Sequence, residues 1–160
     1  MPTEFVIRRM VADDIDALAR AFAGWGKKRP QYERYFEEQR RGERVVLVAR
    51  VGDEVAGYGT LVWNSGYEPF RLEGIPEIMD LNVIEPCQRR GIGSSLIRAA
   101  EGLAAGRSKT VIGIGVGMTP DYDAARRLYP KLGYVPDGRP ITPDHELYLT
   151  RRLSTHEAGP

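Results

Sequence analysis

The stretch Gln88-Arg89-Arg90-Gly91-Ile92-Gly93 is the part of this 160-residue chain best suited to chemistry. Two arginines and two glycines stand where a strand-like run ends and an apolar helical run begins. The first turn of a helix carries N–H groups without partners inside the helix, and its dipole makes that end positive. An anion is therefore favoured there. Glycine removes the Cβ that would hold a ligand away from the backbone. Arg89 and Arg90 add charge at the rim, and Ser94 and Ser95 add hydroxyl donors. The set suits a pyrophosphate, with a plain tight turn as the alternative. Two better-known phosphate loops are excluded. A P-loop needs Gly-Lys-Ser/Thr, and the dinucleotide fingerprint needs a third glycine where Leu96 stands.

A second stretch, Thr110 to Met118 (TVIGIGVGM), places Gly113, Gly115 and Gly117 on one face of a strand and Ile112, Ile114 and Val116 on the other. Glycine inside a strand marks close approach of a ligand or of another part of the chain. We read this face as facing a ligand, with a bulky helix packed on it as the alternative.

These residues need elements to hold them. Glu4 to Arg9 reads as a strand and Ala12 to Trp25 as a helix, with Asp13 as N-cap and Ile15, Leu18, Ala19 and Phe22 at helical spacing. Gly24, Gly26 and the basic run Lys27 to Arg29 form a connector, read as solvated. Pro30 opens a second helix. Arg44 to Val51 and Val55 to Trp63 flank a Gly-Asp-Glu turn and make a hairpin. Asn64 to Gly74 reads as a loop, and Ile75 to Glu85 as the strand before the arginine-glycine stretch. A helix over Gly91 to Ala105, the glycine strand, a helix over Tyr122 to Leu132 ended by Gly133, and strands at Tyr134–Val135 and Glu146 to Arg151 follow. The order is β-α-α-β-β-β-α-β-α-β-β, a mixed α/β domain over residues 1–153, with residues 154–160 as a disordered tail.

Bulk properties narrow the function classes. The net charge of +1 excludes the chain as a whole as a polyanion binder, so no nucleic-acid partner is expected. Cys87 is the only cysteine, which suits a reducing compartment. With two histidines besides, no structural metal site is expected. No run of about 18 apolar residues occurs, so no membrane span is expected. The N-terminus does not read as a signal peptide, which points to the cytoplasm.

The chain resembles the GNAT superfamily, the Gcn5-related acetyltransferases that use acetyl-CoA. Two stretches carry the resemblance. Met79 to Leu96 (MDLNVIEPCQRRGIGSSL) matches the family's Gln/Arg-x-x-Gly-x-Gly/Ala loop behind an x-Leu-x-Val strand. Ala124 to Tyr134 (AARRLYPKLGY) matches its alanine, Leu-Tyr, Leu-Gly-Phe/Tyr pattern. The resemblance implies a mixed, mostly antiparallel sheet with splayed central strands flanked by helices. It implies that the N–H groups of Gln88, Arg89, Arg90, Gly91, Ile92, Gly93 and Ser94 hold the pyrophosphate of coenzyme A. Main-chain groups of Leu81 and Val83 would pair with the pantetheine arm, the Leu81 amide donating to the thioester carbonyl. Tyr129 falls on the tyrosine that protonates the departing thiolate. Glu77, eleven positions before Gln88, falls on the strand glutamate that serves histone-acetylating members as base, with Asp80 as runner-up. Tyr122 stands where many members have an asparagine, and would reach the cofactor through its backbone or ring.

The chemistry is consistent. An amine near pKa 10.4 must lose a proton before it attacks, and the carbonyl oxygen wants fixed donors as charge develops. Pro130 removes a helix hydrogen bond beside Tyr129 and bears on that hydroxyl's aim. The resemblance puts the acceptor pocket at Trp25 to Arg29 and at Asn64 to Gly74, with Tyr67 and Phe70. The first segment is basic and disfavours a polycation; a small-molecule amine fits. The sequence thus reads as an acetyl-CoA-dependent N-acetyltransferase, with a non-catalytic CoA or acyl-CoA sensor on the same fold as the alternative. Tyr148, read as an exposed aromatic on the last strand, is compatible with a homodimer.

Overall fold

A continuous apolar run, valine-rich and buried on both faces, begins the fold. Strands β2 (Arg44–Val51) and β3 (Glu54–Val62) pair antiparallel as a hairpin around Gly52, which turns at φ 60. The structure, a computed structural model, describes residues 4–154. All of the tail beyond Ser154 lies outside the described residues. Two units alternate along the chain, Met1–Val62 with Asp80–Ala100 and Trp63–Met79 with Glu101–Pro160. The class is α/β, with a mixed seven-strand sheet and helices.

In the first unit β1 (Val6–Arg9) pairs antiparallel with β2, and the order continues through β3 to the end of β4 (Glu77–Val83). Helices α1 (Asp14–Ala21) and α2 (Arg29–Arg40) pack on the hairpin, and α4 (Ile92–Gly106) begins here. The core joins Leu18 of α1 and Phe22 just after it, Tyr32 and Tyr35 of α2, and Val46, Val48, Val55 and Tyr58 of the hairpin. Leu18, Phe22, Tyr32 and Tyr58 are wholly buried. Each large apolar side chain so buried contributes roughly 2 kcal/mol.

Three expectations for this unit need correction. The first helix ends at Ala21, and a separate 3₁₀ turn covers Ala23–Trp25, where Gly26 is left-handed at φ 74. Asp13 does not cap that helix: it has helical dihedrals and no side-chain cap bond. The capping carboxylate is its neighbour. Asp14, wholly buried, accepts from Val11 N–H at 2.8 Å and from both terminal nitrogens of Arg8 at 2.6 and 2.9 Å. That is the reach-back half of a capping box, made with a shorter arm. Finally, the basic run is not solvated throughout: Lys28 and Arg29 are exposed as expected, but Lys27 is turned inward. Lys27 pairs with Asp80 at 2.8 Å, and Arg29 with Asp16 and Glu33.

In the second unit the start of β4 runs parallel to β5 (Val111–Gly117), with Glu77 opposite Gly113 and Ile78 opposite Ile114. β5 pairs antiparallel with β7 (Glu146–Arg152) along its whole length, and β7 with β6 (Val135–Pro136). Helix α5 (Asp123–Lys131) runs through Pro130, and Gly133 follows at φ 98. The expected loop Asn64 to Gly74 contains a helix, α3 (Glu68–Glu73), with Pro in its first turn and left-handed Gly74 after it. Phe70 of that helix is wholly buried.

Phe70 also explains the glycine strand. A Cβ at Gly113 would lie 2.6 Å from its Cζ. One at Gly115 would lie 2.9 Å from Tyr148, and one at Gly117 2.5 Å from Tyr122. The face we read as open to a ligand is filled by three rings of the protein itself. Tyr148 is accordingly not an exposed aromatic. It stacks on Tyr67 with centroids 3.7 Å apart and planes 3° from parallel. Among the described residues no helix is long and apolar enough to cross a membrane.

Candidate functional site

The arginine-glycine stretch has the geometry of an anion cradle. Arg89 and Gly91 are both left-handed, at φ 64 and φ 83, and α4 begins at Ile92. Left-handed residues curl the backbone so that neighbouring N–H groups converge, and a helix N-terminus adds its own. Ser95 N–H donates to Gly91 C=O at 3.0 Å. The N–H groups just before it belong to the first turn, which has no acceptor inside the helix. A Cβ at Gly91 or Gly93 would meet nothing within 4 Å, so room for an anion exists at the backbone. Arg89 and Arg90 are exposed at the rim. A cavity of about 500 Å³ opens here, lined by Trp25, Glu85, Gln88 and Arg89.

Gln88 differs from the expectation. Its N–H donates to Glu85 C=O at 3.2 Å, and its side-chain amide donates to Val83 C=O at 2.9 Å. Gln88 therefore braces the loop against the end of β4 rather than offering it a donor, and the Val83 carbonyl already holds one bond.

Leu81 and Val83 lie on the part of β4 that packs closely against β3. A Cβ at Gly57 would sit 2.7 Å from Asn82 O, and one at Gly59 2.9 Å from Leu81 Cδ1. Only glycine at those positions lets β4 approach so near. The residue before Leu81 is left-handed: Asp80 has φ 54, in mid-strand. Its carboxylate gathers five donors. Lys27 Nζ at 2.8 Å and Asn82 Nδ2 at 2.7 Å reach Oδ1; Gln31 Nε2 at 3.0 Å and the hydroxyls of Tyr35 at 3.0 Å and Tyr58 at 2.7 Å reach Oδ2. Tyr32 donates in turn to the Tyr58 hydroxyl at 3.2 Å. Burial favours the neutral acid, but the bonds from Lys27, Tyr58 and Asn82 and the Lys27 charge outweigh it, holding Asp80 below the usual carboxylate range. A carboxylate so held is a poor proton acceptor, which counts against Asp80 as the base.

The other predicted residues lie in the second unit. Glu77 is 5% exposed and accepts from Ser65 Oγ at 2.6 Å, so it is a buried, bonded carboxylate rather than a solvated one. Tyr129 is 6% exposed, and its ring lies 6.3 Å from that of Tyr134. Burial, reinforced by Tyr122, pushes the Tyr129 hydroxyl up to about 12. Tyr122 is 44% exposed and covers Gly117. The first unit thus brings together Leu81, Val83 and the loop Gln88 to Ser94, and the second brings together Tyr122 and Tyr129.

The sequence matches the Acetyltransferase (GNAT) family over residues 12–134. The chain belongs to that family. Solved structures agree with this GNAT fold. yncA from Salmonella typhimurium, with its cofactor acetyl-CoA, is 20% identical; the match covers 98% of this chain and 97% of that one, at a TM-score of 0.72. The paia N-acetyltransferase from Thermoplasma acidophilum, in complex with coenzyme A, is 13% identical over 94% and 99% of the two chains, at 0.73. An N-acetyltransferase from Staphylococcus aureus Mu50 is 15% identical over 95% and 100%, at 0.76. None of the curated proteins matches the sequence.

The sequence reading missed the ring of donors around Asp80. The one hint was an aspartate between Met79 and Leu81, in a strand otherwise apolar at those neighbours. Its partners lie up to 53 residues away along the chain, beyond the reach of any local pattern.

Proposed function

We propose that this GNAT-family chain is an N-acetyltransferase that carries the acetyl group of acetyl-CoA to a primary amine of a small acceptor. The observation that carries the reading is the cradle: left-handed Arg89 and Gly91, the open first turn of α4, and free space where Cβ atoms would stand. A diphosphate fits that donor set, which holds N–H groups, two arginines and the Ser94 hydroxyl. When bound, acetyl-CoA supplies an activated acetyl group as a thioester. The N–H groups of Arg89 to Ser94 bind its diphosphate, and Gln88 keeps their loop in shape. The Leu81 amide is the donor assigned to the thioester carbonyl. Tyr129, at about 12, lies well above a thiol near 8.5. It supports the departing sulfur by donating a hydrogen bond rather than by giving up its proton. Glu77 is the carboxylate assigned to take the amine's proton, directly or through water.

The test has two arms. Calorimetry compares coenzyme A with ATP, and a thiol-release assay runs acetyl-CoA against a panel of small primary amines. Tight coenzyme A binding with turnover on at least one amine is expected. Preference for ATP would remove the reading, and binding without turnover on any amine would leave a sensor. Pro130 inside α5, next to Tyr129, and Tyr122 in place of the family's asparagine are the features that leave that second reading open.

A further inference from the structure

A left-handed aspartate in the middle of a strand is held against its preference, because an L-residue there crowds its own backbone. Asp80 is such a residue, and five donors converge on its carboxylate. A carboxylate offers about four lone-pair sites. This one has no capacity left to collect a substrate proton. The donors come from the α1–α2 connector (Lys27), α2 (Gln31, Tyr35), β3 (Tyr58) and β4 itself (Asn82). Asp80 is only 17% exposed at its side chain and Lys27 22%. The next residue is Leu81, whose side chain is seated against Gly59.

From this arrangement we infer that Asp80 is a positioning residue: its anchored carboxylate fixes the left-handed turn that sets the direction of the Leu81 N–H. The inference rests on the assignment of that amide to the thioester carbonyl. It also links two walls of the first unit. The same carboxylate that locks the strand turn ties down the connector and the start of α2, so both are set by one side chain.

The test uses [1-¹³C]acetyl-CoA bound to the full chain, with the carbonyl chemical shift as a readout that needs no acceptor. In the wild type the bound carbonyl is displaced from its free position by the donor. Asp80→Gly allows the left-handed conformation without anchoring it. We expect it to return the carbonyl toward the free shift, to keep coenzyme A affinity within about threefold, and to lower kcat by about 10- to 100-fold on the amine the wild type uses best. Asp80→Asn keeps one acceptor oxygen, with two lone pairs for the Tyr35 and Tyr58 hydroxyls, and turns an NH₂ toward Lys27 and Asn82; asparagine also tolerates the left-handed conformation, and we expect shift and kcat to stay within about fivefold.

A wild-type shift that survives unchanged in Asp80→Gly overturns the positioning role alone. Loss of turnover in Asp80→Asn with the shift intact overturns it in favour of proton transfer. No displacement in the wild type removes the Leu81 assignment, and the positioning role with it. A shift that depends on Asp80 in a chain that turns over no amine upholds the inference while the acceptor reading fails. If Asp80→Gly does not fold, as judged by its thermal melt, Tyr58→Phe removes a single donor and is expected to reduce both shift and kcat by about threefold; no change in either overturns the role.

Discussion

At Gly91 and Gly93 an added Cβ would meet nothing within 4 Å, whereas at Gly113, Gly115 and Gly117 it would run into Phe70, Tyr148 and Tyr122. Both stretches carry alternating glycines, and both read from sequence as places where something comes close. The difference is what comes close. On β5 it is the chain's own rings: Tyr67 stacks on Tyr148, Phe70 packs edge-on against both, and the glycines make room for them. At the head of α4 no described part of the chain lies within 4 Å of where those Cβ atoms would stand, and the backbone there curls its N–H groups together. Glycine spacing therefore signals a close approach but not its partner. What decides between packing and binding is which residues supply the rings, and two of the three, Phe70 and Tyr148, lie far from their glycines in sequence.

The largest effect that would break this contrast is expected from Gly91→Asp. It puts a carboxylate where a diphosphate is to lie, and a Cβ on a backbone at φ 83. Two like charges about 4 Å apart near a surface repel by about 4 kcal/mol, so coenzyme A affinity should fall by about 100-fold or more in calorimetry. Unchanged affinity would mean the open space is not a binding space.

On the filled side, Gly113→Ala should cost about 1–3 kcal/mol of stability by overpacking, read as a lower urea midpoint, with coenzyme A affinity preserved. Adding Phe70→Leu removes the ring that collides with the new methyl and should recover part of the loss. If Gly113→Ala were neutral for stability but weakened coenzyme A, the ligand reading of that face would return.

Tyr129 sharpens the contrast, because it is buried like the rings yet assigned a role in chemistry. Tyr129→Phe keeps the ring and removes the hydroxyl. The expected result is a roughly tenfold lower kcat, equivalent to about 1.4 kcal/mol, with coenzyme A affinity within twofold. Because burial lifts its pKa to about 12, the hydroxyl stays protonated through the neutral and mildly alkaline range, and the variant should leave the pH profile unaltered below about pH 11. Wild-type kcat would class Tyr129 with the packing rings.

The order of strands and helices was legible in the sequence because it rests on local patterns: the valine runs of β2 and β3, the helical spacing of Ile15, Leu18 and Phe22, and the stop at Gly133. Helix α3 was not, since six residues opened by a proline give no full period to read. The cap at Asp14 was missed by one residue because two aspartates stand side by side, and only the nearby Arg8 and Arg50 show which one is buried. The candidate site divides the same way. The anion loop is contiguous and could be found. The Asp80 anchor draws on residues 2, 22, 45, 49 and 53 positions away, and only folding assembles it.

The smallest expected effect discriminates best, because it repeats one substitution on the other side of the contrast. Gly93→Ala adds the same methyl as Gly113→Ala, but into open space and at a helical position. Alanine is favoured over glycine in a helix by up to about 1 kcal/mol, so the urea midpoint should rise where Gly113→Ala lowers it. The methyl points into the space assigned to the diphosphate, so coenzyme A affinity should fall several-fold. Opposite signs on stability, with a loss of affinity only at Gly93, are what two different kinds of close approach require. A drop in stability at Gly93 would mean that the head of α4 is packed like β5. A rise in stability with full affinity would move the contact away from Gly93 and onto Arg89 to Gly91, where the left-handed residues are.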